Sequence, residues 1–300
     1  ALYEFKKGNK AHFFFSPTDH ACVINLKEDI ESLGHKVHFI KINNSGEVII
    51  DDLVQDILLL NKSERKIINW TWLNNETGVI NDLDKLDKLK SSIDCEIVCD
   101  AVQAPGKVPN WKTLSGSVDA YSFSSHKFGG LKGVGYSFIR DSYLFRPLIL
   151  GGNQQSGLRS GTENPMGVYT TELALRDLDD EMTSEIMIKM DVFKDRIEQL
   201  IINKLGPESI VGSSAKKRNL NTVSFIVPKV NATTLLMAFD FEGLQVSSGS
   251  ACSSGANIPS RVLSALGVDS SLTRSGIRLS FSRATVKKSN KELNTILEKL

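Results

Sequence analysis

The stretch IINWTWLNNE, residues 67–76, decides the fold because a short apolar run ends abruptly in polar side chains. Its first seven residues are rich in β-branched and aromatic side chains, which is typical of a strand. Two later stretches have the same design: EIVCD, residues 96–100, ends in Asp100, and YSFSSHK, residues 121–127, ends in Lys127. Helical patterns lie between such runs, so the sequence predicts an α/β fold with a mainly parallel sheet and helices on both faces.

The same alternation continues on both sides of this stretch. Before it, we predict a strand over 12–15, a helix from Thr18 or Asp19 to residue 33, a strand over 37–42, and a helix from Asp51 or Asp52 to residue 60. After it, we predict a helix over 83–89 and strands over 96–99, 120–124 and 133–139.

The second half of the chain predicts a smaller α/β unit. Helical patterns cover 163–180, 184–204, 233–241, 260–266 and the C-terminal residues, and strands are predicted over 221–227, 244–247 and 277–281. We place a domain boundary near Asp180, giving a large domain over 1–180 and a small C-terminal domain over 181–300.

Charge and composition exclude several classes of partner. The 300 residues carry 36 Lys and Arg against 35 Asp and Glu, so no broad field of one sign attracts nucleic acid or anionic lipid. No apolar run approaches the roughly 20 residues that span a bilayer, and we predict a cytoplasmic protein with no membrane partner. Four widely spaced cysteines do not form a disulfide scaffold, so each is judged singly.

The polar ends of the three strands predict a binding site. Carboxyl ends of parallel strands meet at one edge of a sheet, where ligands bind in such folds. These ends combine amides, a carboxylate, hydroxyls, an imidazole and a lysine. A pyridine aldehyde phosphate needs such groups: an amine for its aldehyde, an acid for its ring nitrogen, and hydroxyls and backbone N–H groups for its phosphate. The sequence therefore predicts a pyridoxal 5'-phosphate site.

Five motifs carry a family resemblance. They are NNETG (74–78), DAVQ (100–103), SSHK (124–127), RSGTENP (159–165) and SGSAC (248–252). In this order and spacing the chain resembles the NifS/IscS-like cysteine desulfurases, which are class V aminotransferase-fold enzymes of fold type I. The resemblance covers nearly the whole chain. It implies that L-cysteine becomes L-alanine, that a persulfide forms on the enzyme, and that the protein is a homodimer with shared sites.

The resemblance also implies roles for the cofactor-binding residues. Lys127 would hold the cofactor as a Schiff base, and Asp100 would pair with the pyridine nitrogen, although local sequence alone leaves a helix N-cap role for Asp100 open. Gln103 and Asn75 would bind on the side of the ring hydroxyl, and Asn75 would also face the substrate. The phosphate would be held by two further residues, Ser124 and His126.

Three more residues take roles from the resemblance. His20 would stack on the ring and move protons near neutral pH. Thr162 would reach the phosphate of the neighbouring subunit. Arg278 would bind the carboxylate of the substrate, with Arg274 and Arg283 as local competitors.

Cys252 is the most informative cysteine. It lies in a Ser/Gly-rich loop, and an exposed, flexible thiol suits sulfur transfer to an outside acceptor. The resemblance implies that its persulfide passes to an acceptor protein, such as an iron–sulfur scaffold or a tRNA-thiolation partner. The run over 253–259 resembles the longer loop of the IscS-like group.

The remaining cysteines and two histidines predict no metal site. Cys95 and Cys99 flank a strand and Cys22 lies in a helix, so we predict core thiols rather than zinc ligands. His35 and His38 are predicted on the surface.

The chain departs from the family pattern at several points. Trp72 stands where the family often has His, and Asn153, Gln155 and Ser156 replace Gly and Glu-Arg in a Gly-rich segment. We predict that these residues sit beside the site and alter rate or substrate preference. The chain also starts short of the family's N-terminal stretch, which carries a Thr-containing phosphate-binding turn.

Three rival functions remain open at this point. Selenocysteine lyase also releases alanine, and a cysteine C–S lyase would give pyruvate and sulfide. A catalytically idle scaffold of the same fold would bind sulfur-assembly partners without cofactor. The identity of the product separates these alternatives.

Overall fold

The larger of two sheets has six strands and is mainly parallel, as predicted. The computed structural model describes residues 10–143, 147–248 and 259–298. The strands of this sheet are β1 (Ala11–Phe15), β2 (Lys36–Phe39), β3 (Arg65–Thr71), β4 (Glu96–Asp100), β5 (Ala120–Ser124) and β6 (Gly135–Ile139). Their order is β2-β1-β3-β4-β5-β6, and only β6 runs antiparallel to its neighbour.

The second sheet and the helices complete the described fold. The second sheet contains β7 (Thr222–Ile226), β8 (Ser247–Ser248) and β9 (Gly276–Ser280), antiparallel in the order β7-β9-β8. The helices are α1 (Ala21–Ile24), α2 (Lys27–Ser32), α3 (Ile50–Leu58), α4 (Asp84–Ser92), α5 (Pro165–Glu181), α6 (Ser184–Leu205), α7 (Ala232–Phe241), α8 (Arg261–Ala265), α9 (Arg283–Val286) and α10 (Asn290–Glu298).

The larger sheet buries both faces because alternate residues of its strands are apolar on each side. Phe14 and Ile68 belong to the core that contains side chains of α3 and α4. Phe13 and Ile67 belong to a separate core with Ile30 of α2. This two-sided burial leaves the ends of the strands as the place where polar side chains can face a ligand.

The first predicted helix is in fact two short helices, α1 and α2. Neither Thr18 nor Asp19 caps the first of them; the cap is His20, whose Nδ1 accepts a hydrogen bond from the N–H of Cys22 at 3.2 Å. Asp19 is unavailable as a cap because its carboxylate accepts hydrogen bonds from Thr71 and other groups of the sheet.

The other elements follow the predictions within a few residues, with two exceptions. The predicted C-terminal helix is divided into α9 and α10, and the predicted strand over 244–247 shrinks to β8. Within the described ranges, no helix is long and apolar enough to cross a membrane.

Of the two histidines predicted on the surface, His35 is buried and His38 is half-buried. His35 is buried, with its ring against the ring of Phe13. His38 hydrogen-bonds through Nε2 to Nδ1 of His12 at 2.8 Å, and its ring stacks on Phe14. The surface prediction was wrong because β2 pairs with β1 and brings His38 beside the buried His12.

Candidate active site

A cavity of about 1020 Å³ lies at the carboxyl ends of β3, β4 and β5. It is closed on the other side by residues that precede β7, by β7 and β9 themselves, and by the start of α8. Eight of the predicted site residues line it: His20, Asn75, Asp100, Gln103, Ser124, His126, Lys127 and Arg278. The structure therefore brings residues from both halves of the chain to one site.

Asp100 ends β4 at the bottom of this site. Burial raises the pKa of its carboxyl group, while the N–H of Val102 and the nearby charges of His20 and Lys127 oppose that rise. The hydrogen bond from Val102 to Asp100 Oδ1 is 3.0 Å long. Asp100 thus makes a turn contact and not the helix cap that local sequence left open, because no helix follows it, and Asp100 lines the cavity.

Lys127 lies at the end of a short 3₁₀ turn that follows β5 directly. Its side chain is exposed to the cavity, two residues after Ser125, which is fully buried. The buried Ser125 hydroxyl is 2.6 Å from the hydroxyl of Thr171 in α5. This contact fixes the turn, so the lysine projects from a rigid base.

Ser124 and His126 form a hydroxyl–imidazole pair beside Lys127. Ser124 Oγ and His126 Nδ1 are 2.8 Å apart. Partial burial, followed by the charges of Lys127, Lys132 and Lys107, lowers the pKa of His126. An anion bound here would meet a hydroxyl, an imidazole and a lysine, and it would favour protonation of the imidazole.

The two asparagines after β3, Asn74 and Asn75, have different structural roles. Asn74 is buried and holds the loop: its Nδ2 donates to the carbonyl oxygen of Thr18 at 2.9 Å, and its Oδ1 accepts from the N–H groups of Glu76 and Thr77. Asn75 is only half-buried and lines the cavity. Asn74 therefore shapes the loop that presents Asn75.

Close backbone contacts join this loop to the second half of the chain. The N–H of Asn219 donates to the carbonyl oxygen of Gly78 at 2.8 Å, and Ile80 donates to Lys217 at 3.0 Å. Gly78 has φ +75°, and a Cβ atom there would lie 2.5 Å from Oδ1 of Asn219. Glycine is needed at this position because both the backbone angle and the space exclude a side chain.

Arg278 alone of the three candidate arginines faces the cavity. It lies on β9, and its Nη1 donates to the carbonyl oxygen of Asn75 at 3.0 Å. Arg274 is exposed, and Arg283 pairs with Glu181 away from the cavity lining. Of the three, only Arg278 lies on β9, where it is beside the loop of Asn75.

Four further residues of the site were missed by sequence reasoning. They are Asp19, Glu76, Lys107 and Arg261; the last three line the cavity. Burial raises the pKa of Asp19 to about 7 and that of Glu76 to about 7. Burial, with repulsion from Lys127 and Arg278, lowers the pKa of Lys107 to about 8. The available signal was a charged residue within the motif 74–78 for Glu76, and a charged residue shortly after the motif 100–103 for Lys107.

Arg261 and Asp19 are held in place by hydrogen bonds to residues that are distant in the sequence. Arg261, at the start of α8, donates to the carbonyl oxygens of Pro17 and Asp19. Asp19 Oδ1 accepts from the hydroxyl of Thr71 at 2.6 Å, and Oδ2 accepts from Asn69 Nδ2 at 2.8 Å. No local sequence pattern reports such contacts.

Some predicted residues lie elsewhere. The side chain of Trp72 is 4% exposed and packs in the core against Tyr121, whereas its backbone N–H lies beside the site and donates to the carbonyl oxygen of Asp100 at 3.0 Å. Thr162 is exposed and outside the cavity lining. Cys252 lies outside the described residues.

The remaining cysteines separate into two groups. Cys95 and Cys99 are buried, as predicted, and burial raises the pKa of Cys95 to about 12 and that of Cys99 well above its ordinary value. Cys22 is exposed and lines the cavity, so the prediction of a core thiol was wrong for it. The four-residue helix α1 has no buried residue, which leaves Cys22 uncovered.

This fold and this cavity define a fold-type I α/β protein with a ligand cavity at the carboxyl edge of its larger sheet. The family described as aminotransferase class-V matches residues 2–292. The chain belongs to the aminotransferase class-V family.

The chain is also similar to individual proteins that are named as cysteine desulfurases or NifS-like proteins. The chain is 31% identical over 281 residues to a cysteine desulfurase of Nostoc sp., covering 92% of this chain and 67% of that protein. It is 33% identical over 298 residues to the cysteine desulfurase IscS of Dictyoglomus turgidum, covering 96% and 72% of the two chains. It superimposes on the NifS-like protein of Rickettsia africae with a TM-score of 0.80 at 28% identity, over 96% and 74% of the two chains.

Proposed function

We propose that the protein is a pyridoxal-phosphate-dependent cysteine desulfurase. It converts L-cysteine to L-alanine and leaves the sulfur as a persulfide on Cys252. The observation that carries this proposal is the presence of Lys127, Asp100 and Arg278 in one cavity. An amine, an acid and a guanidinium are what an amino-acid substrate and an aldehyde cofactor together require. The relatives named cysteine desulfurase support the choice of substrate.

The donor set fits the cofactor. Asp100 offers a half-buried carboxyl group whose charge is disfavoured until a cationic partner arrives, which suits a pyridine nitrogen that must stay protonated. Ser124 and His126 offer a hydroxyl and an imidazole to the phosphate, and Lys127 offers its amine to the aldehyde. Gln103 would bind on the side of the ring hydroxyl. Bound pyridoxal phosphate would supply the electron sink that makes the Cα–H bond of an amino acid acidic.

Lys127 and Arg278 would handle the substrate. The guanidinium of Arg278 binds the carboxylate of cysteine and fixes the direction of its Cα–H bond. The neutral amine of Lys127 then takes the Cα proton on Nζ. Asn75 accepts a hydrogen bond from Arg278 on its backbone oxygen, and it lines the same cavity as Lys127.

His20 would serve as a proton carrier at the face of the ring. Its Nδ1 accepts from the N–H of Cys22, so the neutral imidazole carries its proton on Nε2. A ring held by a helix cap in this way keeps one orientation. His20 can therefore exchange a proton with a substrate atom without reorienting.

Cys252 would accept the sulfur. Its thiolate attacks the sulfur of the substrate, an S–S bond forms, and the Cβ–S bond breaks with its electron pair on carbon. Protonation of that carbon gives alanine. The persulfide then passes to an acceptor protein for iron–sulfur cluster or thio-cofactor synthesis, and we place this chemistry in the cytoplasm, where thiols stay reduced.

A homodimer is part of this proposal. Large apolar side chains are exposed on the segment that follows β6 and on the start of α5: Leu148, Ile149, Leu150, Leu158, Met166, Val168, Tyr169 and Leu173. Exposed apolar surface of this kind is typical of a protein interface. Thr162 lies in the same segment and would reach the phosphate site of the second subunit.

The proposal is tested by incubating purified protein with pyridoxal phosphate and L-cysteine. We expect alanine and a persulfide on Cys252. Lys127→Ala should lose the visible absorption band of the lysine-bound cofactor, and Lys132→Ala, a nearby exposed lysine, should retain it. Cys252→Ser should retain the band and form no persulfide, whereas Cys22→Ser should still form it.

The products decide between the alternatives. Pyruvate and sulfide would assign the protein to the cysteine C–S lyases, and turnover of selenocysteine alone would make it a selenocysteine lyase. Absence of both cofactor binding and alanine would leave a catalytically idle scaffold.

A further inference from the structure

A tight turn follows the carboxyl end of β4. The N–H of Lys107 donates to the carbonyl oxygen of Ala104 at 3.1 Å, with Pro105 and Gly106 between them. Gly106 has φ +69°, and Pro followed by a Gly of positive φ is the pattern of a type II turn. A Cβ atom on Gly106 would lie 2.5 Å from Leu178, so only glycine fits. The turn carries Lys107 back toward Gln103.

The ammonium group of Lys107 lies in the wall of the cavity and contacts Gln103. Lys107 Nζ donates to Gln103 Oε1 at 2.5 Å, and both residues line the cavity. An amide whose oxygen is held by an ammonium keeps its N–H groups for other partners. Gln103 therefore meets a ligand as a hydrogen-bond donor.

The position of Lys107 has an electrostatic cost in the ligand-free cavity. Its pKa falls because it is buried and because Lys127 and Arg278 repel it. A hydrogen bond from a charged donor in such a setting is stronger than one between neutral groups.

We propose that Lys107 is a positioning residue that holds the amide of Gln103 so that its N–H groups bind the ring oxyanion of the cofactor. This inference rests on the proposed function, because it takes pyridoxal phosphate as the ligand. Lys107 acts through Gln103, so its contribution should disappear when the amide of Gln103 is removed.

A double-mutant cycle tests this coupling. The affinity for pyridoxal phosphate is measured by titrating the cofactor-free protein and following the visible absorption band, for wild type, Lys107→Met, Gln103→Ala and the double variant. Loss of one charged hydrogen bond predicts an affinity about 10-fold weaker for Lys107→Met. In the Gln103→Ala background the same change should alter the affinity less than about 2-fold.

Two further measurements separate positioning from a general structural role. The absorption maximum of the bound cofactor should shift in the same direction in Lys107→Met and in Gln103→Ala, and it should not shift in Lys132→Met. The melting temperature of cofactor-free Lys107→Met should stay at or above that of wild type, because the substitution removes a charge that Lys127 and Arg278 repel. If Lys107→Met does not fold, the cycle is run with Lys107→Gln.

The outcomes are distinct. Equal effects of Lys107→Met in both backgrounds would show that Lys107 acts independently of Gln103 and would overturn the inference, as would an unchanged affinity in the single variant. A wild-type protein that binds no pyridoxal phosphate would overturn the proposed function and this inference with it.

Discussion

Asp19 should make the stability of the cofactor-free protein depend on pH. Its carboxyl group is 0% exposed, and burial raises its pKa from 3.8 to about 7. Over the pH range between these values the folded protein holds a proton that the unfolded chain has lost. Its contribution to stability is therefore complete below the unfolded pKa and is lost as the pH rises through the folded pKa.

The magnitude follows from the width of that range. Each pH unit over which the folded state holds one extra proton changes the free energy of unfolding by about 1.4 kcal/mol. Between about pH 5 and about pH 8, Asp19 alone should lower the free energy of unfolding by roughly 3 kcal/mol.

The variant Asp19→Asn isolates this contribution. An amide oxygen can accept from Asn69 Nδ2 and from the N–H of Ser16, which contact Oδ2 at 2.8 and 2.9 Å. The amide nitrogen then faces the hydroxyl of Thr71, which can accept as well as donate. The variant thus keeps the geometry and loses the titration.

The assay is urea unfolding of both cofactor-free proteins across this pH range. We expect the stability of wild type relative to Asp19→Asn to fall by roughly 3 kcal/mol as the pH rises. Asp180→Asn, at an exposed position near the end of α5, should track wild type at every pH. A constant difference between wild type and Asp19→Asn would refute the reasoning, since it would mean that Asp19 does not titrate within this range.

Three other predictions concern packing and thiol chemistry. Trp72→Ala should lower the free energy of unfolding in urea by about 3–5 kcal/mol, because the side chain is buried. Leu59→Ala, at an 86% exposed position, should change it by less than about 0.5 kcal/mol. Similar losses of stability in the two variants would contradict the core position of Trp72. Gly106→Ala should lower the melting temperature measurably, because its positive φ and the close contact with Leu178 both oppose a side chain; an unchanged value would exclude this turn geometry. A thiol-alkylating reagent should modify Cys22 in the folded protein and leave Cys99 unmodified until urea is added, as read by mass spectrometry; early modification of Cys99 would contradict its burial.

The sequence predicted the larger sheet well because its strands carry their own signals. The run from Ile67 to Leu73 and the polar residues after it mark both a strand and its functional end. The pairing of parallel strands then determines that Asp100 and Lys127 meet at one edge. The local sequence pattern was sufficient to predict these strands, because polar residues mark the end of each one.

The parts that were missed depend on contacts between distant segments. The sequence predicts Thr18 or Asp19 as a helix cap because it does not show that Thr71 and Asn69 bind the carboxylate of Asp19. The sequence predicts Cys22 as a core thiol because a helix pattern does not show that α1 ends after four residues. The motif comparison also does not show that the side chain of Trp72 enters the core while its backbone N–H lies beside Asp100.

The cavity joins residues that leave the ribosome at different times. Lys127 and Arg278 are about 150 residues apart in the chain, which at roughly 5–20 residues per second corresponds to about 8–30 seconds of synthesis. During this interval the nascent chain has its candidate cofactor lysine and lacks the guanidinium that would recognise the substrate. A cofactor captured at this stage would meet no amino-acid carboxylate held in place, so the order of synthesis itself would delay the chemistry until the second sheet is made.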